Sequence, residues 1–181
     1  RIGGATASET LGVIPDLLIC AKGLTNGAVP MGAVGVRGEI YEAVVNEASA
    51  PGIEFFHGYT YSGHPLAAAA GLATLDVYDE DGLFQRATDM APYWEEAVHS
   101  LRGLPHVIDI RNLGMVAAIE LAPRPNAPGA RATEVFQTAF DEGILIRVTG
   151  DVIALSPPLI ISRAQIDELI DHLLQIIRRT P

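Results

Sequence analysis

The sequence has 181 residues, 49% of them apolar, a mean hydropathy of +0.26 and a formal net charge of −10. That length can bury a real core in one or two domains, and the apolar fraction excludes intrinsic disorder. The acidic balance without a basic stripe excludes a phosphate-backbone partner, and one cysteine excludes an internal disulfide framework.

A single cysteine also fits a reducing compartment, so a cytoplasmic location is expected. No apolar run approaches the length of a membrane span, and nothing resembles a signal peptide. Cys20 is expected to be a small core residue.

In chain order, residues 1–15 are rich in Gly, Ala, Ser and Thr and read as loop with a helical turn. Leu17 to Ala21 is an apolar run bounded by turn signals, which predicts a fully buried strand. It delivers Lys22 into a loop of Gly23, Thr25, Asn26 and Gly27. A lysine at the mouth of a buried strand is costly to desolvate, and burial disfavours its charged form, leaving a nucleophilic amine. Such an amine can form a Schiff base with an aldehyde; a lysine snorkelling from a strand end is the plainer alternative. Gly32 to Val36 reads as a strand of small residues, and Ile40, Ala43 and Val44 mark a helix of one or two turns over 39–45. Residues 46–54 read as loop.

The block His57-Gly58-Tyr59-Thr60-Tyr61-Ser62-Gly63-His64-Pro65 follows Phe55 and Phe56. Pro65 marks a helix start, and Thr60 offers a hydroxyl just before it, where an anion is favoured. A plain capping or turn threonine is the other possibility. His57 and His64 have no partners at metal-ligand spacing and are expected to be structural.

Residues 65–78 are Ala-rich with Leu66, Ala69, Ala70, Ala73 and Val77 at helical spacing, predicting a long, tightly packed helix ending at Gly82. Met90, Trp94, Val98 and Leu101 define one face of a second helical run, which Pro92 should kink or restart. Val107–Arg111 and Met115–Leu121 read as strands joined by a turn at Asn112-Leu113-Gly114. After a Pro-rich loop over 122–128, a helix is expected over 133–141, ending at Gly143. Ile144–Val148 and Val152–Leu155 read as a second strand pair. Arg147 alternates there with apolar neighbours, and a guanidinium facing a cleft would suit a carboxylate, whereas an outward one is an ordinary strand arginine. Ser162 is the expected cap of the last helix, whose end carries Arg178 and Arg179.

The run Asp16 to Gly27, continued by Val29-Pro30-Met31-Gly32-Ala33, closely resembles the cofactor-lysine segment of class III aminotransferases, which depend on pyridoxal 5′-phosphate (PLP). The block His57 to Pro65 resembles that family's next landmark at about the expected separation. The resemblance implies an α/β fold, the PLP-dependent transferase fold type I. Residues 1–78 would be the C-terminal part of the large PLP-binding domain with a long interdomain helix, and residues 79–181 a small α+β domain. It implies that Lys22 is the Schiff-base lysine and proton shuttle. Thr60 would contact the PLP phosphate in the neighbouring subunit's site, so a homodimer is expected. Arg147 would bind the substrate carboxylate, and Tyr59 would help shape the pocket.

The Tyr-Ser-Gly-His-Pro form leans toward ω-amino acid or amine donors with pyruvate as acceptor, the β-alanine–pyruvate type. Diaminopelargonate-type or 4-aminobutyrate-type transfer, an aminomutase or racemase reaction, or a noncatalytic truncated domain are the alternatives. The family's pyridine-nitrogen aspartate, phosphate-binding turn and ring-stacking aromatic come from an earlier segment, absent from residues 1–181. The chain therefore resembles the second half of such an enzyme and is expected to be inactive alone.

Overall fold

Residues 1–47 and 57–181 are described by the computed structural model, and they divide into two units. One comprises Leu11–Gly82; the other comprises Leu83–Pro181 together with Arg1–Thr10. The turn α1 (Ala7–Leu11) matches the helical turn expected near the start. Most of the loop expected over 46–54, together with Phe55 and Phe56, lies outside the described residues.

In the first unit, β1 (Leu17–Ala21) pairs antiparallel with β2 (Gly32–Val36), Leu17 lying opposite Val36 and Ala21 opposite Gly32. Arg37 bonds Asp16 through its side chain at 2.9 Å and through its backbone at 3.1 Å, closing the open end of this ribbon. The helix α2 (Gly38–Asn46) then follows. The expected burial of β1 is overturned: Leu17 is 52% exposed and Ile19 77%. Apolar sequence states what a strand prefers, but two strands form no layer that covers either face.

The helix α3 (Pro65–Glu80) begins, as expected, with Pro65 in its first turn. His64 caps it, its Nδ1 accepting the Ala67 N–H at 3.4 Å, which is the structural role expected of that histidine. The tight packing expected of this helix is corrected. The stripe it buries is Ala67, Gly71 and Thr74, while Leu66, Leu72, Leu75 and Val77 are exposed.

In the second unit, a four-stranded antiparallel sheet has the order β3-β4-β6-β5, built from β3 (Val107–Leu113), β4 (Val116–Leu121), β5 (Arg147–Thr149) and β6 (Val152–Leu155). Three helices complete it: α4 (Leu83–His99), α5 (Ala130–Asp141) and α6 (Arg163–Arg179). Their inner faces and the sheet bury Trp94, Val98, Met115, Ile119, Val135, Ile153, Ile166 and Leu173 completely. Each such aliphatic side chain contributes about 1.5–3 kcal/mol on leaving water.

Three expectations shift here. Pro92 does not restart the run, because α4 continues through it as one helix. Its neighbours Ala87, Trp94 and Val98 are all buried, and that packing outweighs the missing N–H. β3 extends past Arg111 to Leu113, since Asn112 and Leu113 keep pairing with Ala117 and Val116. The reversal falls at Gly114, whose φ is +55°. An added Cβ there would lie 2.6 Å from the Arg1 carbonyl oxygen, so only glycine fits. β5 is shorter than expected, because the Ile144 N–H still bonds the end of α5 at Ala139 O and Leu145 turns outward. α6 carries a full capping box between Ser162 and Gln165, as its sequence signals.

Candidate functional site

Lys22 is the one lysine of the sequence, beside eleven arginines. It stands directly after β1 with φ +59°, a left-handed backbone that side chains with a Cβ seldom adopt. Its carbonyl accepts the Thr25 N–H at 3.3 Å and the Gly27 N–H at 3.1 Å. The buried Thr25 hydroxyl donates to Val29 O at 2.5 Å, tying the loop from inside. The next carbonyl, that of Gly23, accepts the Tyr78 hydroxyl at 2.9 Å. Lys22 itself is exposed among the described residues. Its side chain has no acidic partner within ion-pair distance among the described residues.

Thr60 lies in a turn that precedes α3. The turn is closed by Ser62 N–H to Tyr59 O at 3.0 Å and His64 N–H to Tyr61 O at 3.2 Å. The Thr60 side chain is exposed, without a hydrogen bond among the described residues. The Tyr59 ring meets His57 edge-on with centroids 5.0 Å apart, and it is also exposed.

Arg147 belongs to the other unit, at the start of β5 opposite Ala154. It is exposed and makes no ion pair among the described residues, in contrast to Arg124, which is paired with Glu134 at 2.6 Å. No group of His, Cys, Asp or Glu suited to a metal ion occurs among the described residues. No described helix is long and apolar enough to cross a membrane.

Sequence reasoning missed Thr25 and Tyr78 as supports of the lysine loop. The residue pattern Lys-Gly followed by Thr, Asn and Gly does signal a left-handed turn, but nothing local identifies where the hydroxyl of Tyr78 goes.

The sequence profile described as "Aminotransferase class-III" matches residues 1–177. An "Omega-aminotransferase" of Caulobacter vibrioides is 60% identical over 98% of this chain and 40% of its own length. A "Beta-alanine--pyruvate aminotransferase" of Pseudomonas aeruginosa is 44% identical over 94% of this chain and 38% of its own. A solved aminotransferase from Vibrio fluvialis, described as its PMP-bound form, superposes with a TM-score of 0.89 at 29% identity, covering 99% of this chain and 41% of that one. The chain thus spans about two fifths of the length of the relatives it matches. The fold class agrees with the expectation: α/β, of the PLP-dependent transferase type. With the family's profile running through nearly every residue, the chain belongs to the class III aminotransferases.

Proposed function

We propose that the enzyme containing this chain is a PLP-dependent transaminase that moves an amino group from an ω-amino acid or amine to pyruvate. The observation that carries this is Lys22, the sequence's one lysine, held in a left-handed turn at a strand end with no acidic partner among the described residues. Relatives named for an omega-amino acid with pyruvate and for β-alanine with pyruvate support the substrate class. Residues 1–78 would then be part of the cofactor-binding domain with its interdomain helix, and residues 79–181 the smaller domain.

The residues present suit PLP in chemistry. An exposed primary amine without an acidic partner among the described residues can bond an aldehyde carbon, and the Thr60 hydroxyl, without a hydrogen bond among them, can donate to a phosphate oxygen. When bound, PLP supplies the electron sink that stabilises a carbanion at the substrate carbon. Lys22 would hold the cofactor through Nζ and, once displaced by substrate, carry a proton at that same atom. Arg147 would orient the carboxylate of the acceptor through two parallel N–H bonds. Tyr59 would contribute to the wall of the pocket.

Lys22 and Thr60 are proposed to serve different copies of the site. Tyr78 touches the lysine loop near the end of α3, while Thr60 precedes its start. A homodimer would bring Thr60 of one subunit toward Lys22 of the other.

The test is a product assay on the longest natural chain containing this segment, supplied with PLP, β-alanine or a simple amine, and pyruvate. Alanine should accumulate with the matching aldehyde or ketone, and Lys22→Ala should abolish it. Isomerised or racemised amino acid without pyruvate consumption would point to the aminomutase or racemase alternative instead.

A further inference from the structure

With Lys22 taken as the cofactor-bearing amine, as proposed above, we propose that Tyr78 is a positioning residue that fixes the direction of the Lys22 side chain through the Gly23 carbonyl. Three consecutive peptide groups decide where Lys22 points. The one before it belongs to the strand ladder, where Ala21 pairs with Gly32. The one after it is held by the Thr25 and Gly27 amides on the Lys22 carbonyl. The third carries the Gly23 carbonyl, which accepts the Tyr78 hydroxyl at 2.9 Å. Glycine at 23 can rotate readily, so this carbonyl needs an external hold if the peptide before it is to stay fixed. Lys22 itself sits in a backbone region that persists only when its surroundings over-determine it.

Tyr78 suits that role because its helix is seated on the same loop. Gly71, on the stripe that α3 buries, approaches the loop so closely that an added Cβ would lie 3.5 Å from Leu24 O and 3.6 Å from the Met31 sulfur. The hydroxyl is therefore delivered from a helix that touches the loop at two places about 10 Å apart along its axis, seven residues at 1.5 Å each. It bonds the backbone, not the amine. Tyr78 would thus act on the reaction through Lys22, without touching substrate.

The experiment compares wild type with Tyr78→Phe, which removes the hydroxyl and keeps the ring, in the longest natural chain containing this segment. In the cofactor-free protein, hydrogen exchange at the Thr25 and Gly27 amides should rise about 2- to 10-fold, the equilibrium equivalent of one ordinary hydrogen bond. Exchange within residues 67–74 of α3 should stay unchanged, which a general loosening of the helix would not allow. In the PLP-loaded protein, the absorbance change that reports protonation of the Lys22-bound cofactor should move its pH midpoint. Unchanged exchange at Thr25 and Gly27 with an unchanged midpoint would overturn the role of Tyr78. Borohydride labelling of the wild type separates that failure from failure of the Lys22 assignment. Label on Lys22 leaves the assignment standing, whereas label elsewhere overturns the assignment and the role of Tyr78 together.

Discussion

Replacing Arg147 should split the two halves of the reaction. The side chain is exposed at the start of β5, faces no acid among the described residues and supports no other group by an ion pair. Arg147→Ala should therefore change stability by no more than about 0.5 kcal/mol, as for an ordinary surface position. Its loss removes charge-assisted bonds to a carboxylate, each kind contributing about 1.5–3 kcal/mol. At about 1.4 kcal/mol per decade, kcat/KM for pyruvate should fall between roughly 10- and 150-fold. Arg147→Lys keeps the charge and loses the planar fork, so its loss should be intermediate. The assay is the pair of half-reactions followed by cofactor absorbance, one with a carboxylate-free amine and one with pyruvate. The amine half-reaction should be within about 2-fold of wild type, since no carboxylate needs holding. Equal losses in both halves, or none in either, would refute the assignment of Arg147 as a carboxylate clamp.

Other outcomes follow from the second unit. Trp94 is completely buried and its indole N–H has no partner among the described residues. Trp94→Phe should therefore cost little, roughly 0–1.5 kcal/mol by denaturant unfolding, because losing an unpaired donor offsets the smaller ring; Trp94→Ala should cost about 3–5 kcal/mol. Ser162→Ala removes one arm of the capping box on α6 and should cost about 1 kcal/mol, with Ser162→Asp nearly neutral. The Arg179 guanidinium bonded to Glu142, helped by His172, holds the Glu142 carboxyl below its usual range against a smaller opposing effect of burial. A depressed carboxyl stabilises the fold above its unfolded value and loses that contribution as pH falls through the lowered one. The contribution of Glu142 should thus fade as pH falls below its unfolded value and through the lowered one, and Glu142→Gln should flatten that part of the stability profile.

Much of the second unit was legible because its signals are local. Val152–Leu155 is a short apolar run after the Thr149-Gly150-Asp151 turn, and Ser162 followed by Gln165 is a cap that needs no tertiary partner. Where tertiary contacts decide, local signals failed. Asn112 looked like a turn residue, yet its side chain bonds His99 at 2.9 Å and Glu95 at 3.3 Å, which keeps it in β3. Pro92 looked like a break, yet the burial of Trp94 and Val98 carries α4 through it. In the first unit, apolar content predicted burial for Ile19 and for the whole of α3, but content says nothing about which layer covers it. The site divides in the same way. Lys22 and Thr60 were visible through motif and position, and the loop after Lys22 through its glycines. Tyr78 was invisible, because a hydrogen bond to a backbone carbonyl 55 residues away leaves no mark on the residue types around it.

The most direct measurement is covalent trapping: add PLP to the longest natural chain containing this segment, reduce with borohydride, digest, and locate the modified peptide by mass. Because residues 1–181 hold one lysine, the digest has one unambiguous answer within them. A reduced pyridoxyl group on Lys22 is the predicted result. Stoichiometric label on a lysine outside this segment, with Lys22 recovered unmodified, would contradict the account.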